Sequence, residues 1–213
     1  MNGQEVHMEE VKHTPQSVIE ELLPEVVQLP EPAVLASGQE SIWYINVKGL
    51  LLNKDALNKT IAELTQLLVT LQKEGEQRGL CIEWYCGVPT GGLLAAQHLL
   101  YQEDLNLRQL LVERKDGDGK YEITATPGGI PLEPGSSIII IEDVVTTGTS
   151  SKQVIEDLEK LGFEVGAVVA IVHRDDVCPE LEEITTDSGK KVPFVSLARM
   201  TEIIEYSAQQ QTL

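Results

Sequence analysis

Four consecutive isoleucines, Ile138 to Ile141, run directly into two acids, Glu142 and Asp143. A strand that is apolar at every position must be covered on both faces, because side chains alternate across a sheet and half of them would otherwise meet water. Such double cover belongs to a parallel sheet packed between helices. Val165 to Val172 is a second run of the same kind. Between the two, residues 149–161 place Val154, Ile155, Leu158 and Leu161 on one helical face, and Gly162 supplies the stop. Strand, helix, strand in succession predicts an α/β fold with a mostly parallel central sheet flanked by helices.

The rest of the chain reads in the same alternation. Residues 1–13 are polar and form a loose arm, and Thr14-Pro15 opens a short helix with Val18, Leu22 and Leu23 as its apolar stripe. Pro30 and Pro32 separate that helix from an extended run at 33–36, and the aromatic, β-branched stretch Ser41 to Val47 is a strand. Asn53 caps a long helix in which Leu57, Ile61, Leu64, Leu68 and Leu71 recur at helical spacing. Strands follow at 81–86, 109–113 and 192–195, with helices from Leu93 to about Tyr101 and at the C-terminus. The expected organisation is an arm over 1–13 and one domain over 14–213, with a small N-terminal hood from about 14–48.

Charge narrows the function. Sixteen Lys and Arg against 34 Asp and Glu leave a formal −18, which repels phosphate backbones and anionic lipid surfaces and argues against nucleic-acid and membrane partners. No apolar run reaches the length of a spanning helix, and the first residues lack a signal peptide's apolar region. Three cysteines without CxxC spacing make neither a disulfide framework nor a zinc site, which fits a cytoplasmic protein.

The chemistry concentrates after the isoleucine strand. In an open α/β sheet, ligands bind at the carboxyl ends of the strands. There, Thr146, Thr147, Thr149 and Ser150 offer hydroxyls, and Gly148 lets the backbone turn its N–H groups toward one point ahead of a helix N-terminus. That loop suits one phosphate. Glu142 and Asp143 repel phosphate and suit sugar hydroxyls, or a cation held between ligand and protein. Neither GxxxxGK[ST] nor GxGxxG is present, which argues against nucleotide kinases, GTPases and nicotinamide dehydrogenases.

The segment Ile138-Ile-Ile-Ile-Glu-Asp-Val-Val-Thr-Thr-Gly-Thr-Ser150 resembles the phosphoribosyl-pyrophosphate (PRPP) signature of type I phosphoribosyltransferases. The likeness spans roughly residues 30–205 and is nearest to the orotate-using branch of that family. Val34-Leu-Ala-Ser-Gly38 and Ser41-Ile-Trp-Tyr-Ile-Asn46 resemble its early segments, Cys86-Gly-Val-Pro-Thr-Gly-Gly92 its pyrophosphate loop, and Val172-His-Arg-Asp175 its late Asp-Arg segment. Arg114-Lys115 sits where its flexible catalytic loop begins.

The resemblance implies transfer of a phosphoribosyl group from PRPP to orotate, in pyrimidine biosynthesis, giving orotidine 5′-monophosphate and pyrophosphate. It implies that Glu142 and Asp143 hold the ribose hydroxyls, with Asp143 at the reacting centre. Thr146, Thr147, Gly148, Thr149 and Ser150 would cradle the 5-phosphate. Gly87, Val88, Pro89, Thr90 and Gly91 would meet the pyrophosphate together with Arg114 and Lys115. Arg174 would pair with the orotate carboxylate, with Thr146, Ala36 and Ser37 beside the ring. It further implies a homodimer, and Mg²⁺ held mainly by PRPP without a dedicated protein cage.

Three positions depart from the family pattern: Asn46 stands for Asp, Lys48 for Arg, and the catalytic loop is shortened to Arg114-Lys115-Asp116-Gly-Asp-Gly-Lys120. Either Lys115 or Lys120 is left to serve as the catalytic lysine. A phosphoribosyltransferase for another base, or a PRPP-binding regulator that has lost the catalytic loop, are the alternatives this shortening leaves open. His98, Cys86, Trp43 and Tyr44 read as packing residues, and His173 as packing with a possible ligand contact.

Overall fold

The isoleucine strand lies at the centre of a seven-stranded sheet. The computed structural model describes residues 15–114, 121–124 and 136–210. The strands are β3 (Ile82–Gly87), β4 (Arg108–Arg114), β5 (Tyr121–Thr124), β6 (Ser137–Val145), β7 (Glu164–His173), β8 (Glu183–Thr185) and β9 (Lys191–Arg199), in the order β5-β4-β3-β6-β7-β9-β8. The five inner strands are parallel; β5 and β8 join antiparallel at the two edges. A separate antiparallel pair, β1 (Val26–Val34) and β2 (Glu40–Ile45), forms a small second sheet near the N-terminus.

Ile138 to Ile141 are fully buried, and alternation divides them between two cores. Ile139 and Ile141 pack with five helices, α1 (Gln16–Leu22), α2 (Val47–Leu52), α3 (Lys54–Gln77), α4 (Gly91–Leu99) and α6 (Met200–Gln210). Ile138 and Ile140 pack on the opposite face with α5 (Thr149–Lys160), through Val154, Ile155 and Leu158. Burying residues of this size from water contributes about 1.5–3 kcal/mol each, so the double cover stabilises the strand that carries the two acids.

Local chemistry explains most boundaries. Asn53 Oδ1 accepts from the N–H groups of Asp55 (3.1 Å) and Ala56 (3.3 Å) and starts α3 as expected. Gly162 adopts φ 88° just past α5, where a side chain would be strained. Four features differ from the sequence reading. The strand β6 continues through Val145, so both acids lie within it. Pro30 and Pro32 do not separate elements but sit inside β1, where the pairing with β2 is irregular between Gln28 and Ala33; an edge strand tolerates the missing N–H there. The short elements α2, β5 and β8 were not anticipated. Thr14, offered as the cap of α1, lies outside the described residues; Pro15 occupies the cap position, and no described side chain caps that helix. Among the described residues no helix is long and apolar enough to cross a membrane.

Candidate active site

Strand order locates the site. The chain moves from β3 outward to β4 and then crosses back, so that β6 lies on the other side of β3. The helix after β3, α4, packs on one face of the sheet, and the helix after β6, α5, packs on the other. The carboxyl ends of β3 and β6 are therefore the switch point at which open α/β sheets bind ligands.

Residues 87–92 form one wall. Val88 donates its N–H to Ile141 O (2.8 Å), and Leu93 donates to Val88 O (3.1 Å), so the loop is tied to β6. The Val88 N–H is therefore committed within the protein, and Pro89 has none. Thr90 and the uncapped first turn of α4 at Gly91 and Gly92 carry the remaining N–H groups of this loop. The Pro89–Thr90 peptide is cis. The loop is pressed closely onto β6: a β-carbon on Gly91 would overlap the Asp143 carboxylate, and one on Gly92 would overlap Ile141 O. Glycine is required here by contact.

The second wall is residues 146–150. Gly148 sits at the N-cap of α5 with φ 75°, and no side chain caps this helix. Among the described residues its first turn thus lacks a side-chain cap, and Thr147 Oγ1 and Thr149 Oγ1 lie 2.9 Å apart beside it. Ile184 of β8 packs beneath Gly148, within 2.8 Å of where a β-carbon would stand. The arrangement is a concave run of donors at the positive end of a helix, which favours a phosphate.

Because β6 extends past Ile141, its alternation sends the two acids to opposite faces. Glu142 turns toward α5, is 8% exposed, and accepts from Ser151 Oγ. Burial pushes its carboxyl up to about 7, with Ser151 opposing and Asp143 adding to the rise. Asp143 turns toward α4 and is half-buried. Burial raises its pKa too, while backbone N–H groups and the Lys48 ammonium pull it back. The sequence reading treated the two acids as one pair. Asp143 is the more open of the two, and Glu142 is anchored by a serine that reading had passed over.

Arg174 follows β7 directly. Its N–H donates to Val145 O (2.8 Å), which sets it beside Thr146. The residue is 3% exposed, and its side chain turns toward β2. Nε donates to Asp176 Oδ1 and Nη2 to Asp176 Oδ2, both at 2.8 Å. Nη2 also reaches Ser41 Oγ (2.8 Å) and Trp43 O (3.1 Å). The Nε/Nη2 edge, which would grip a carboxylate in bidentate fashion, is therefore occupied by Asp176; among the described residues nothing hydrogen-bonds Nη1. Gln39 Nε2 donates to Val177 O (3.2 Å), so the turn between β1 and β2, which holds Ala36 and Ser37, is tied to the same segment. Ala36 is exposed, and Ser37 Oγ is buried without a hydrogen-bond partner among the described residues.

The neighbours of Arg174 have other tasks. The imidazole Nε2 of His173 lies 2.9 Å from Cys178 O, and its ring meets Phe194 edge-on at 5.1 Å. Burial lowers its pKa, so it is held neutral as a packing residue. Asp175 accepts from Thr201 N (2.9 Å) and Thr201 Oγ1 at the start of α6. Lys115 and Lys120, and the side chain of Arg114, lie outside the described residues.

The phosphoribosyl transferase domain family matches residues 86–195, the span that holds both loops, both acids and Arg174. The chain belongs to the phosphoribosyltransferase family. Orotate phosphoribosyltransferase of Thermococcus kodakarensis is 30% identical over 84% of this chain and 86% of that protein. The corresponding protein of Nitratiruptor sp. is 34% identical over 75% and 72%. The crystal structure of orotate phosphoribosyltransferase from Aeropyrum pernix superposes with a TM-score of 0.63, covering 90% of this chain and 99% of that one at 26% identity. This phosphoribosyltransferase shares its overall fold with the Aeropyrum pernix structure.

Proposed function

We propose that this phosphoribosyltransferase uses orotate, forming orotidine 5′-monophosphate and pyrophosphate from PRPP. The observation that carries the reading is the meeting of three parts at one sheet edge: the uncapped α5 loop, the glycine wall against Asp143, and Arg174 beside Thr146. In this reading the 5-phosphate takes the α5 loop, and Glu142 and Asp143 accept from the ribose hydroxyls. The pyrophosphate lies along Thr90 to Gly92, and the pyrimidine sits between Thr146 and the β1–β2 turn. The buried hydroxyl of Ser37 then gains a partner in the base, as buried polar groups require.

Mg²⁺ fits this donor set. Among the described residues no cluster of three or more acid, histidine or cysteine side chains could cage a metal. Magnesium is commonly held by substrate phosphates and one or two carboxylates while it keeps its waters, and Asp143 is the carboxylate at hand. When bound, the ion neutralises charge on the leaving pyrophosphate. A homodimer is part of the same reading; exposed Tyr44 and Val27 on the β1–β2 sheet, and Leu100 and Tyr101 after α4, offer apolar surface for it. Three free cysteines fit a cytoplasmic location.

The test is a spectrophotometric assay of orotate consumption with PRPP and Mg²⁺, run beside uracil and a purine base. Consumption of orotate alone is the expected result. PRPP binding without turnover on any base would instead favour the regulator reading that the shortened 114–120 segment raises.

A further inference from the structure

The guanidinium of Arg174 is fixed by a device that none of the ligand-binding roles assigned above includes. Asp176 stands two residues on, its side chain 10% exposed against 4% for Arg174, and the two form a bidentate pair. Ser41 locks the pair to β2. Its hydroxyl donates to Asp176 Oδ2 (3.0 Å) and accepts from Arg174 Nη2 (2.8 Å) and from Trp43 N (3.0 Å). The backbone is held as firmly: Arg174 N donates to Val145 O, and Val177 N and Cys178 N donate to Arg174 O. Every rotation that would swing the guanidinium therefore breaks several bonds at once.

The consequence is chemical as well as mechanical. A free arginine offers a carboxylate a choice of edges. Here Nε and Nη2 are consumed, and Nη1 is the donor left without a partner among the described residues. Asp176 also cancels most of the arginine's charge, so an anion arriving at Nη1 is recognised by a fixed donor direction more than by net attraction. We propose that Asp176, together with Ser41, is a positioning residue for base selection: it presents Nη1 of Arg174 as a single, pre-aimed donor for the anionic substituent of the base. This rests on the reading of Arg174 as the partner of the orotate carboxylate.

A pre-aimed group binds its ligand without first losing side-chain freedom, so loosening it should weaken base binding selectively. The experiment measures orotate KM, kcat and PRPP affinity by calorimetry for the wild type, Asp176→Asn, Asp176→Glu, Ser41→Ala and Arg174→Ala, with melting temperature recorded for each. The expected result is a tenfold or greater rise in orotate KM for Asp176→Asn and a smaller rise for Ser41→Ala. PRPP affinity should be unchanged, and Asp176→Glu should recover part of the loss. Asp176→Asn that lowers only the melting temperature, with orotate KM unmoved, would overturn the positioning role and leave the base assignment standing. Arg174→Ala with unchanged orotate KM would overturn both. Should Asp176→Asn fail to fold, Ser41→Ala decides alone: an unchanged orotate KM in that variant counts against the proposal.

Discussion

Gly91 lies so close to Asp143 that a β-carbon on the glycine would occupy the space of the carboxylate. The first residue of α4 and the acid of β6 thus share one contact, and the position of each depends on the other being small or fixed. Gly91→Ala should displace the carboxylate while leaving the helix intact, since alanine is the better helix former. Losing hydrogen bonds from a charged group costs about 1.5–3 kcal/mol, so PRPP affinity should fall by roughly tenfold to a hundredfold. Calorimetry with PRPP and Mg²⁺ checks this, and unchanged affinity would separate Asp143 from the sugar site.

If Glu142 accepts from the ribose hydroxyls as proposed, PRPP binding and stability should respond to pH in opposite directions. Its carboxyl is raised to about 7 in the folded protein from an ordinary value of 4.5. Between those two values the folded state holds a proton that the unfolded state has released, so stability declines as pH rises through this window, by at most about 1.4 kcal/mol per pH unit. As an acceptor for ribose hydroxyls, the ionised form is the competent one, so PRPP affinity should climb over the upper part of the same range. Glu142→Gln should flatten both trends. Ser151→Ala removes the bond that favours ionisation and should move the binding transition to higher pH. Titrations between pH 5 and pH 8 read both; a binding curve identical in wild type and Ser151→Ala would exclude this coupling.

The double-faced strand and the phosphate loop were legible because each leaves a local signature, four isoleucines in one case and a run of Thr, Gly and Ser before a helix in the other. What lay hidden depended on partners distant in sequence. β8 is only three residues long and β5 four, and each exists as an edge on a neighbour. The prolines of β1 read as breaks because pairing with β2 cannot be seen locally. Arg174 was recognisable as a candidate, yet the occupation of its Nε/Nη2 edge was not, since it depends on a tight turn that folds Asp176 back and on Ser41, 133 residues away. Period-two alternation alone would have separated Glu142 from Asp143, had β6 been carried to Val145.

Adjacent residues after β7 serve different ends, and mutation should separate them. Asp175 is 8% exposed and takes two bonds from Thr201 at the start of α6. Removing a helix-capping acceptor typically costs about 0.5–2 kcal/mol. Asp175→Ala should lower the melting temperature while orotate KM and PRPP affinity hold. The check is a thermal melt alongside steady-state kinetics; a rise in orotate KM without a change in melting would assign Asp175 to the base site instead.

Turnover should depend on the segment that links β4 to β5. Arg114, the last residue of β4, pairs with Tyr121, the first of β5. Leu110 of β4 lies level with Cys86 of β3, just before the glycine wall, so Arg114 stands four residues farther toward the carboxyl edge. At about 3.3 Å per residue that is roughly 13 Å, which sets Arg114 and Tyr121 at the same end of the sheet as the 87–92 wall. In the proposed reading, ground-state contacts to PRPP would come from 87–92 and 142–150; cations from the linking segment would act mainly as charge gathers on the departing pyrophosphate. Interactions that strengthen only in the transition state govern kcat, and losing one such group costs on the order of 10²–10³ in rate. One of Lys115→Ala and Lys120→Ala should therefore lower kcat by about that factor with PRPP affinity little changed. Single-turnover kinetics on both variants identify the lysine. If each retains wild-type kcat, neutralisation of the leaving group must come from elsewhere, and Lys48, whose ammonium already acts on Asp143, becomes the residue to replace next.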